Sequence, residues 1–534
     1  MKRWGPLVAL AIAQFLMVLD QSVMNVSISQ LVEDFDTSVS TIQAVITLYS
    51  LVMAMFMLAG GKIGDIIGRR RAFIVGLVIY GTGSAVTALA PTVVVLALGW
   101  SVLEGLGAAL VLPALVALVA GNYEGRMRGV AYAVIGGMAG AGIAVGPIVG
   151  GWATTEVTWR VVFVGEVVLV LVILALSGRV VDAVRTGRRP RLDGVGTALS
   201  ALGLGTMVLA VLFASTWGWL VPRQSPVEPF GLALTPFVVA GGAVLLWLFV
   251  RWERHREAGG LDPLVHLDLL RVPALRSGLV GLFSQNLVLM GVFFGLPLYL
   301  QLVIGLDAFQ TGVRMLPVSI AMLVTSALGS ALSGRFGART IVRSGLVTTM
   351  VAILALLVTV QPTLADVAFA ISMALLGVGM GLIVSQLGNV VQSSVDASGR
   401  GEAGGLQFTG QQLGSSLGIA LVGAIVLGGL TTSFLTNVRD DDQLAPDVVA
   451  MVEDRLESAE TDFLPVDVVE EAAVSAGLDQ GSVAAIVEDY QAAQLQSLRS
   501  GLLVAAVLAL LALGSTGNLP RGRPGSASEE AVTA

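Results

Sequence analysis

The sequence predicts an all-α polytopic membrane protein with fourteen transmembrane helices, and three observations point to it. The first is composition: of 534 residues, 55% are hydrophobic and only 13% charged, where a soluble protein carries about a quarter charged residues. The second is that the apolar residues come in blocks of about twenty, the length that crosses a bilayer core as a helix. Helices are required because lipid offers no other partner to backbone polar groups. The third is that the arginines gather in alternate loops.

The spans follow in order at 5–29, 41–61, 72–91, 93–120, 129–152, 159–177, 194–213, 232–250, 274–302, 311–333, 342–361, 366–386, 403–430 and 498–518. The first has the outline of a signal peptide, but its apolar stretch runs past the small-residue triplet at Ala11 to Ala13, which favours an uncleaved helix. With the N-terminus inside, 24 of the 30 basic residues fall on the cytoplasmic side, so both termini are expected there. Arginine outnumbers lysine 28 to 2 in an Ala-, Val- and Gly-rich chain, a composition typical of high-GC bacteria, so the expected location is a bacterial inner membrane. Between spans 13 and 14, residues 434–497 hold fifteen acids and two arginines, so the formal charge of −7 resides there. Rough helical periodicity in DVVAMVEDRLESAE and GSVAAIVEDYQAAQLQSL predicts a small helical hairpin outside the membrane. It is either a solvated acidic spacer or a cap that attracts cations.

Absences narrow the chemistry. There is no cysteine, hence no disulfide, thiolate metal site or cysteine nucleophile. His255 and His266 share one polar segment, so no histidine serves inside a span. Lys2 and Lys62 lie in no phosphate-binding loop, which disfavours ATP-driven transport. The GVGMG run at 377–381 lies within span 12 with no strand before it and reads as packing. No zinc motif, nucleophile elbow or nucleic-acid signature occurs; no enzyme activity, cofactor or metal is implied.

Three motifs carry mechanism. Loop 61–71 reads GKIGDIIGRRR, with Gly61, Asp65, Gly68, Arg69 and Arg70 at a specific spacing. Its glycines permit a tight turn and close helix approach. Asp65 can sit against a positive helix N-terminus in the other half, plausibly that of span 13, with the arginines holding the carboxylate as a latch on one of two conformations. Span 5 reads GGMAGAGIAVGPIVGGW: Gly142, Gly146 and Gly150 recur every four residues, and Pro147 and Gly151 complete the pattern. Span 1 ends LDQSVMNVSIS, with Asp20 inside the span.

On these residues the chain resembles the major facilitator superfamily, in its fourteen-helix drug:proton antiporter branch (EmrB/QacA type). WR at 159–160, LYLQLVIG at 298–305 and MLP at 315–317 extend the resemblance over nearly the whole chain. It implies two six-helix halves of inverted repeats plus two extra helices. The expected division is 1–178, a first bundle; 179–273, the extra pair with its loops; 274–433 with 498–518, a second bundle; 434–497, the acidic insertion; and 519–534, a cytoplasmic tail. The span-5 pattern then matches the superfamily's antiporter motif.

The resemblance also exposes a departure. In SVLEG, Ser101 stands where the branch usually has arginine, and Glu104 where it has glutamine. The family arginine is commonly assigned a part in proton coupling. An ionised carboxylate at mid-membrane costs ~3 kcal/mol or more, so Glu104 is expected to be neutral much of the time, to serve as proton carrier or cation ligand and, if it shares a cavity with Asp20, to titrate with it as a coupled pair. The alternative is a protonated structural residue or one lining water. Glu166, in span 6, is read as shallower and facing outer water or the substrate cavity. Gln285, Asn286 and Phe293 of span 9, with Gln407 and Gln411 of span 13, are read as a wall of that cavity or as interhelical hydrogen bonding.

The function expected is secondary active export of amphipathic or cationic compounds in exchange for protons, by alternating access. The partners would be a small amphipathic substrate, protons and membrane lipid, with no nucleic acid. Two alternatives stand beside it: an exporter of a lipid or self-made metabolite with altered or no proton coupling, and a non-transporting membrane sensor.

Overall fold

A computed structural model describes residues 4–123, 125–182, 191–333, 335–395, 399–458 and 463–520. Lys2, Arg3, Arg185, Arg188, Arg189, Arg521, Arg523 and most of the 519–534 tail lie outside the described residues. Among those described, fourteen helices are long and apolar enough to span a membrane: α1 Gly5–Met24, α2 Val39–Ile67, α3 Arg69–Ala88, α4 Val93–Val119, α5 Val130–Glu156, α6 Arg160–Ser177, α7 Gly194–Leu212, α8 Thr235–Ala258, α9 Pro273–Val303, α10 Ala308–Gly329, α11 Ala338–Thr359, α12 Asp366–Ser393, α13 Gly401–Asp440 and α14 Gln480–Asn518. They correspond one to one with the predicted spans.

Boundaries differ where polar residues still fold as helix. Span 1 stops at Met24, and a separate short helix, Ile28–Asp34, follows. Helix α13 runs ten residues past its predicted apolar end, and α14 begins well before its own. Hydropathy marks only the lipid-facing part. The extensions are held by contacts outside it: Phe434 meets Tyr490 edge-on at 5.3 Å, and Asn437 donates to the Asp489 carbonyl at 3.0 Å. The insertion's short helices, Pro446–Ser458 and Val466–Ser475, pack on these extensions. The Tyr490 hydroxyl and the Gln494 amide both donate to the Leu464 carbonyl.

The two bundles meet along two seams, α2 against α13 and α5 against α10. The extra helices α7 and α8 pack on each other, and α7 leans on α2 and α13. Small residues set the spacing, as expected where lipid supplies no hydrophobic drive between helices. Gly142 and Gly150 face the α1 backbone at Phe15 and Val23, and Gly146 faces Ser22. Gly151 faces Ala308 and Phe309 of α10, and the Pro147 carbonyl points at Gly312. The glycine-rich α5 is thus clasped between α1 and the opposite bundle. Side chains bridge the seams as well: the Gln43 amide donates to the Ile419 carbonyl at 2.9 Å, and the Ser319 hydroxyl to that of Ile143 at 3.0 Å.

At the end of the molecule away from the termini, the bundles are joined through Gln301. Its amide donates to the Val26 carbonyl at 3.0 Å, and its oxygen accepts from Ser29. The predicted WR pair sits nearby. Trp159 and Arg160 both donate to Asp34 Oδ2, at 2.7 and 3.1 Å. Burial alone would raise the Asp34 carboxyl, but hydrogen bonds from Gln30, Trp159 and Arg160 and the charge of Arg160 hold it below its ordinary value of 3.8.

Two expectations follow from this packing. A methyl group at Gly418 would collide with the Leu287 carbonyl, whereas one at Gly165 meets nothing within 4 Å. Gly418→Ala is therefore expected to lower stability by about 1–3 kcal/mol and Gly165→Ala not to, in thermal unfolding of detergent-solubilised protein. Because the folded Asp34 carboxyl is depressed, its stabilisation is present at neutral pH and is lost as pH falls through that lowered value. Asp34→Asn should therefore unfold earlier than wild type at pH 7, with the gap closing well below pH 3.8.

Candidate functional site

The site begins with an irregularity in α4. Residues Ala97–Glu104 wind as a π-helix before α-geometry resumes at Gly105, a wide turn that recurs at functional sites. Gly99, Trp100, Ser101 and Glu104 are all buried within it. Two glycines let α3 and α4 approach: a Cβ at Gly83 would lie 2.6 Å from Glu104 Cγ, and one at Gly99 2.6 Å from Thr87 Oγ1.

This approach, with α1 and α6 alongside, brings three carboxyl groups together. One oxygen from each of Asp20, Glu104 and Glu166 lies within 4.8 Å of the others. The three residues are 1%, 0% and 1% exposed. Trp100 Nε1 donates to Asp20 Oδ1 at 2.8 Å. Tyr80 and Ser84 donate to Glu166 Oε2 at 3.3 and 3.1 Å, and Thr87 to Glu104 Oε1 at 3.4 Å. Each carboxyl thus has one oxygen anchored. The other, Asp20 Oδ2, Glu104 Oε2 or Glu166 Oε1, is buried with no hydrogen-bond partner. Tyr49 stacks on Trp100 at 4.8 Å. Its hydroxyl is buried beside Asp20. Among the described residues, no basic side chain acts on any of the three carboxyls. Ser101, where arginine was expected, turns away and donates to the Val45 carbonyl at 2.7 Å.

Asp20 and Glu104 therefore lie together, the placement on which a coupled pair depends. Glu166 does not occupy the shallow, water-facing place assigned to it: α6 packs on α3, and the side chain turns inward onto Tyr80 and Ser84. The anchoring residues were missed. The available signal was the i, i+4, i+7 spacing of Tyr80, Ser84 and Thr87 around Gly83, one polar stripe on an otherwise apolar helix.

The second half is more dispersed. Gln285 and Phe293 are buried in the packing of α9, and the Asn286 amide bonds its own helix at Leu282. Gln407 lies 3.5 Å from the Gln392 amide, and the Gln411 carbonyl accepts from Ser415. The polar link between bundles runs instead through the neighbouring residue, with Gln21 donating to Gln412 at 2.9 Å. Gln21 directly follows Asp20.

The predicted latch sits at the end of the molecule that carries the termini. Arg69 clasps Asp65 Oδ1 at 3.1 Å from one turn along the chain. Both line a cleft with Gly61, Gly401 and Glu402 at the start of α13. Gly68 takes φ 112°, the conformation that its motif position requires of a glycine. Arg70 donates to the Ser177 carbonyl.

A strap, residues 259–272, reaches this cleft from the extra helices. Glu253 of α8 receives the backbone N–H of Leu264 and Val265, at 2.7 and 3.2 Å. Lys62 donates to the Pro263 carbonyl at 2.8 Å. His266 is bound through its backbone and ring to Glu402. Leu264 and Val265 pack with Ala59 of α2 and Leu406 of α13. The strap thus touches both bundles at the latch.

Comparison with known proteins agrees with this architecture. A family profile described as Major Facilitator Superfamily matches residues 10–192 and 190–419. The puromycin resistance protein pur8 of Streptomyces alboniger is 32% identical, over 82% of this chain and 84% of that protein. The multidrug efflux pump LfrA of Mycolicibacterium smegmatis is 27% identical, over 97% and 96%. The probable actinorhodin transporter of Streptomyces coelicolor is 29% identical, over 82% and 75%. Among solved structures, a bacterial homologue of the human lysosomal transporter Spinster, in an inward-facing and unoccupied conformation, superposes with a TM-score of 0.57. It is 15% identical and covers 98% of this chain and 99% of its own, a likeness of fold.

The Trp100 bond to Asp20 is separable from its stacking. Trp100→Phe keeps a ring against Tyr49 and removes the donor. It is expected to cost about 1–3 kcal/mol, read as an earlier unfolding transition of the solubilised protein.

Proposed function

The chain belongs to the Major Facilitator Superfamily, and on that premise we propose that it exports amphipathic or cationic compounds in exchange for protons by alternating access. It is a membrane transporter, not an enzyme, and its relatives include multidrug efflux and antibiotic resistance proteins. The single observation that carries the proton reading is the buried cluster of Asp20, Glu104 and Glu166. Three carboxyl groups so close cannot all be ionised in a low-dielectric site without a balancing charge. They must therefore take up protons when closed off and can release them when water reaches them.

The remaining parts have natural roles in such a cycle. The donors Trp100, Tyr80, Ser84 and Thr87 stabilise whichever carboxyl is ionised. Gln21 follows Asp20 in the chain and bonds Gln412 of the other bundle, a route by which protonation of the cluster can bias the packing of the halves. The Asp65 cleft, facing the start of α13, latches the end that carries the termini, which we place on the cytoplasmic side of a bacterial cell membrane. Substrate would pass between the bundles, along the seams of α5 and α2. Export of a self-made metabolite is the second reading; the probable actinorhodin transporter among the relatives favours it.

The test is uptake of a fluorescent lipophilic cation into inverted vesicles energised with an acid interior. Wild type should accumulate dye and lose it when the gradient is collapsed. Glu104→Gln and Asp20→Asn should fall at least tenfold in gradient-driven uptake while still binding dye. Wild-type uptake indifferent to the gradient would sink the antiport reading.

A further inference from the structure

The strap grips the two bundles unequally. Its course is set at the end of α8. Gly260 takes φ 64°, and the N–H groups of Leu261 and Gly260 return to the Arg256 and Glu257 carbonyls, a glycine cap that turns the chain out of the helix. Four successive backbone N–H groups then meet three carboxylates: Leu264 and Val265 donate to Glu253, His266 to Glu402 and Leu267 to Glu257. Arg256 adds two bonds to the Asp262 carbonyl, at 3.2 and 2.9 Å. The strap is thus fixed to α8 and, through Glu402, to α13. From Val272 it runs directly into α9, which packs along α13. At the opposite end of the molecule Arg223, in the loop joining α7 to α8, donates to the Gly428 carbonyl and to Thr432 of α13, at 3.1 and 2.7 Å. Polar bonds therefore tie the extra pair to the second bundle at both ends. Toward the first bundle, α7 leans on α2 through packing such as Met55 against Gly205. The strap itself offers α2 one polar bond, from Lys62 to the Pro263 carbonyl at 2.8 Å, beside the packing of Leu264 with Ala59.

We propose that the strap, 259–272, is a gate flap of the second bundle, held shut over the Asp65 cleft by its grip on Lys62. Leu264 lines that cleft together with Asp65, Arg69 and Glu402, so the flap forms part of its wall. Parting α2 from α13 at this end breaks the Lys62–Pro263 bond, and the flap leaves with Glu402, α9 and α13. Lysine suits a grip remade in every cycle. Its ammonium is a strongly hydrated charge on a flexible stem, and it can exchange a carbonyl for water without leaving a charged partner behind. The place of this step in a transport cycle rests on the alternating-access reading above.

The chain has no cysteine, so introduced thiols report alone. Ala117, buried in the cleft wall, is replaced by Cys in the full-length protein, and its reaction with a membrane-impermeant maleimide is timed in inverted vesicles. Lys62→Met keeps the stem and loses the donor. It should label about fivefold faster, the effect of one lost hydrogen bond on an opening equilibrium, and Lys62→Arg, which can donate again, should restore slow labelling. Ala505→Cys, buried in α14, should stay unlabelled throughout. Equal labelling of Ala117→Cys with and without Lys62 overturns the proposal. So does labelling that rises at both sites together, since Lys62 would then hold the fold rather than the cleft. In a second arm, a short bifunctional thiosulfonate joins Ala59→Cys to Leu264→Cys, fixing the flap to α2; dye uptake should stop and return with reductant. Joining Arg223→Cys to Thr432→Cys, which ties the extra pair to α13, should leave uptake in place. The reverse pattern overturns the assignment of the flap to the second bundle. Labelling needs no substrate, so it decides this inference even if wild-type uptake ignores the gradient, the result that sinks the antiport reading alone.

Discussion

Three buried carboxyls in the first bundle, those of Asp20, Glu104 and Glu166, have no cationic side chain among the described residues to meet them. Ion pairs buried in proteins normally balance desolvation with an opposite charge. Here the three carboxyls have only hydrogen-bond donors, contributed by α3 and α4, and each donor reaches a single oxygen. The helices must hold those donors in place, so the packing of α1, α3, α4 and α6 is tied to the charge that the cluster carries. In the proposed cycle, neutralising that charge and closing the bundle would be one event.

The scaffold answers with small residues. Where α5 crosses α1 and α10, glycines bring backbone against backbone, and a carbonyl such as that of Pro147 fills the space a side chain would take. The α1 contact is made within a bundle and the α10 contact between bundles, where single polar contacts such as those of Gln21, Gln43, Gln301 and Ser319 add to it. Each of these polar contacts can be exchanged for water or another partner at modest cost. The strap adds a third body to this arrangement, fastened to Lys62 on one side and Glu402 on the other. The extra helices are therefore joined through the strap to the cleft at Asp65.

Much of this was legible in the chain. Fourteen blocks of apolar residues gave fourteen helices because a lipid environment admits little else, and Gly142, Gly146 and Gly150 announced a packing face by their spacing alone. Asp20 and Glu104 stood out because charge is rare inside a span. Glu166 was placed too shallow: depth was judged by counting from the end of its helix, whereas the direction of the side chain is set by the packing of α6 on α3. Tyr49, Tyr80 and Trp100 were overlooked for a related reason, since an aromatic residue in an apolar helix looks the same whether it faces lipid or a carboxylate. The strap was invisible to hydropathy because its decisive contacts, with Lys62 and Glu402, join segments far apart in sequence.

The π-turn at Ala97–Glu104 gives α4 two faces in series. Each α-helical residue advances about 100° around the axis, so a helix with one residue more than α-geometry requires is rotated by that amount on one side of the excess. Loss of a single residue in this stretch would restore regular winding and swing either the segment before it or Gly105 and all that follows. Trp100, Ser101 and Glu104 would then no longer point where they do. At this place in the chain the gain or loss of one residue, rather than any substitution, decides which side chains meet inside the bundle, and the helix absorbs that change without breaking.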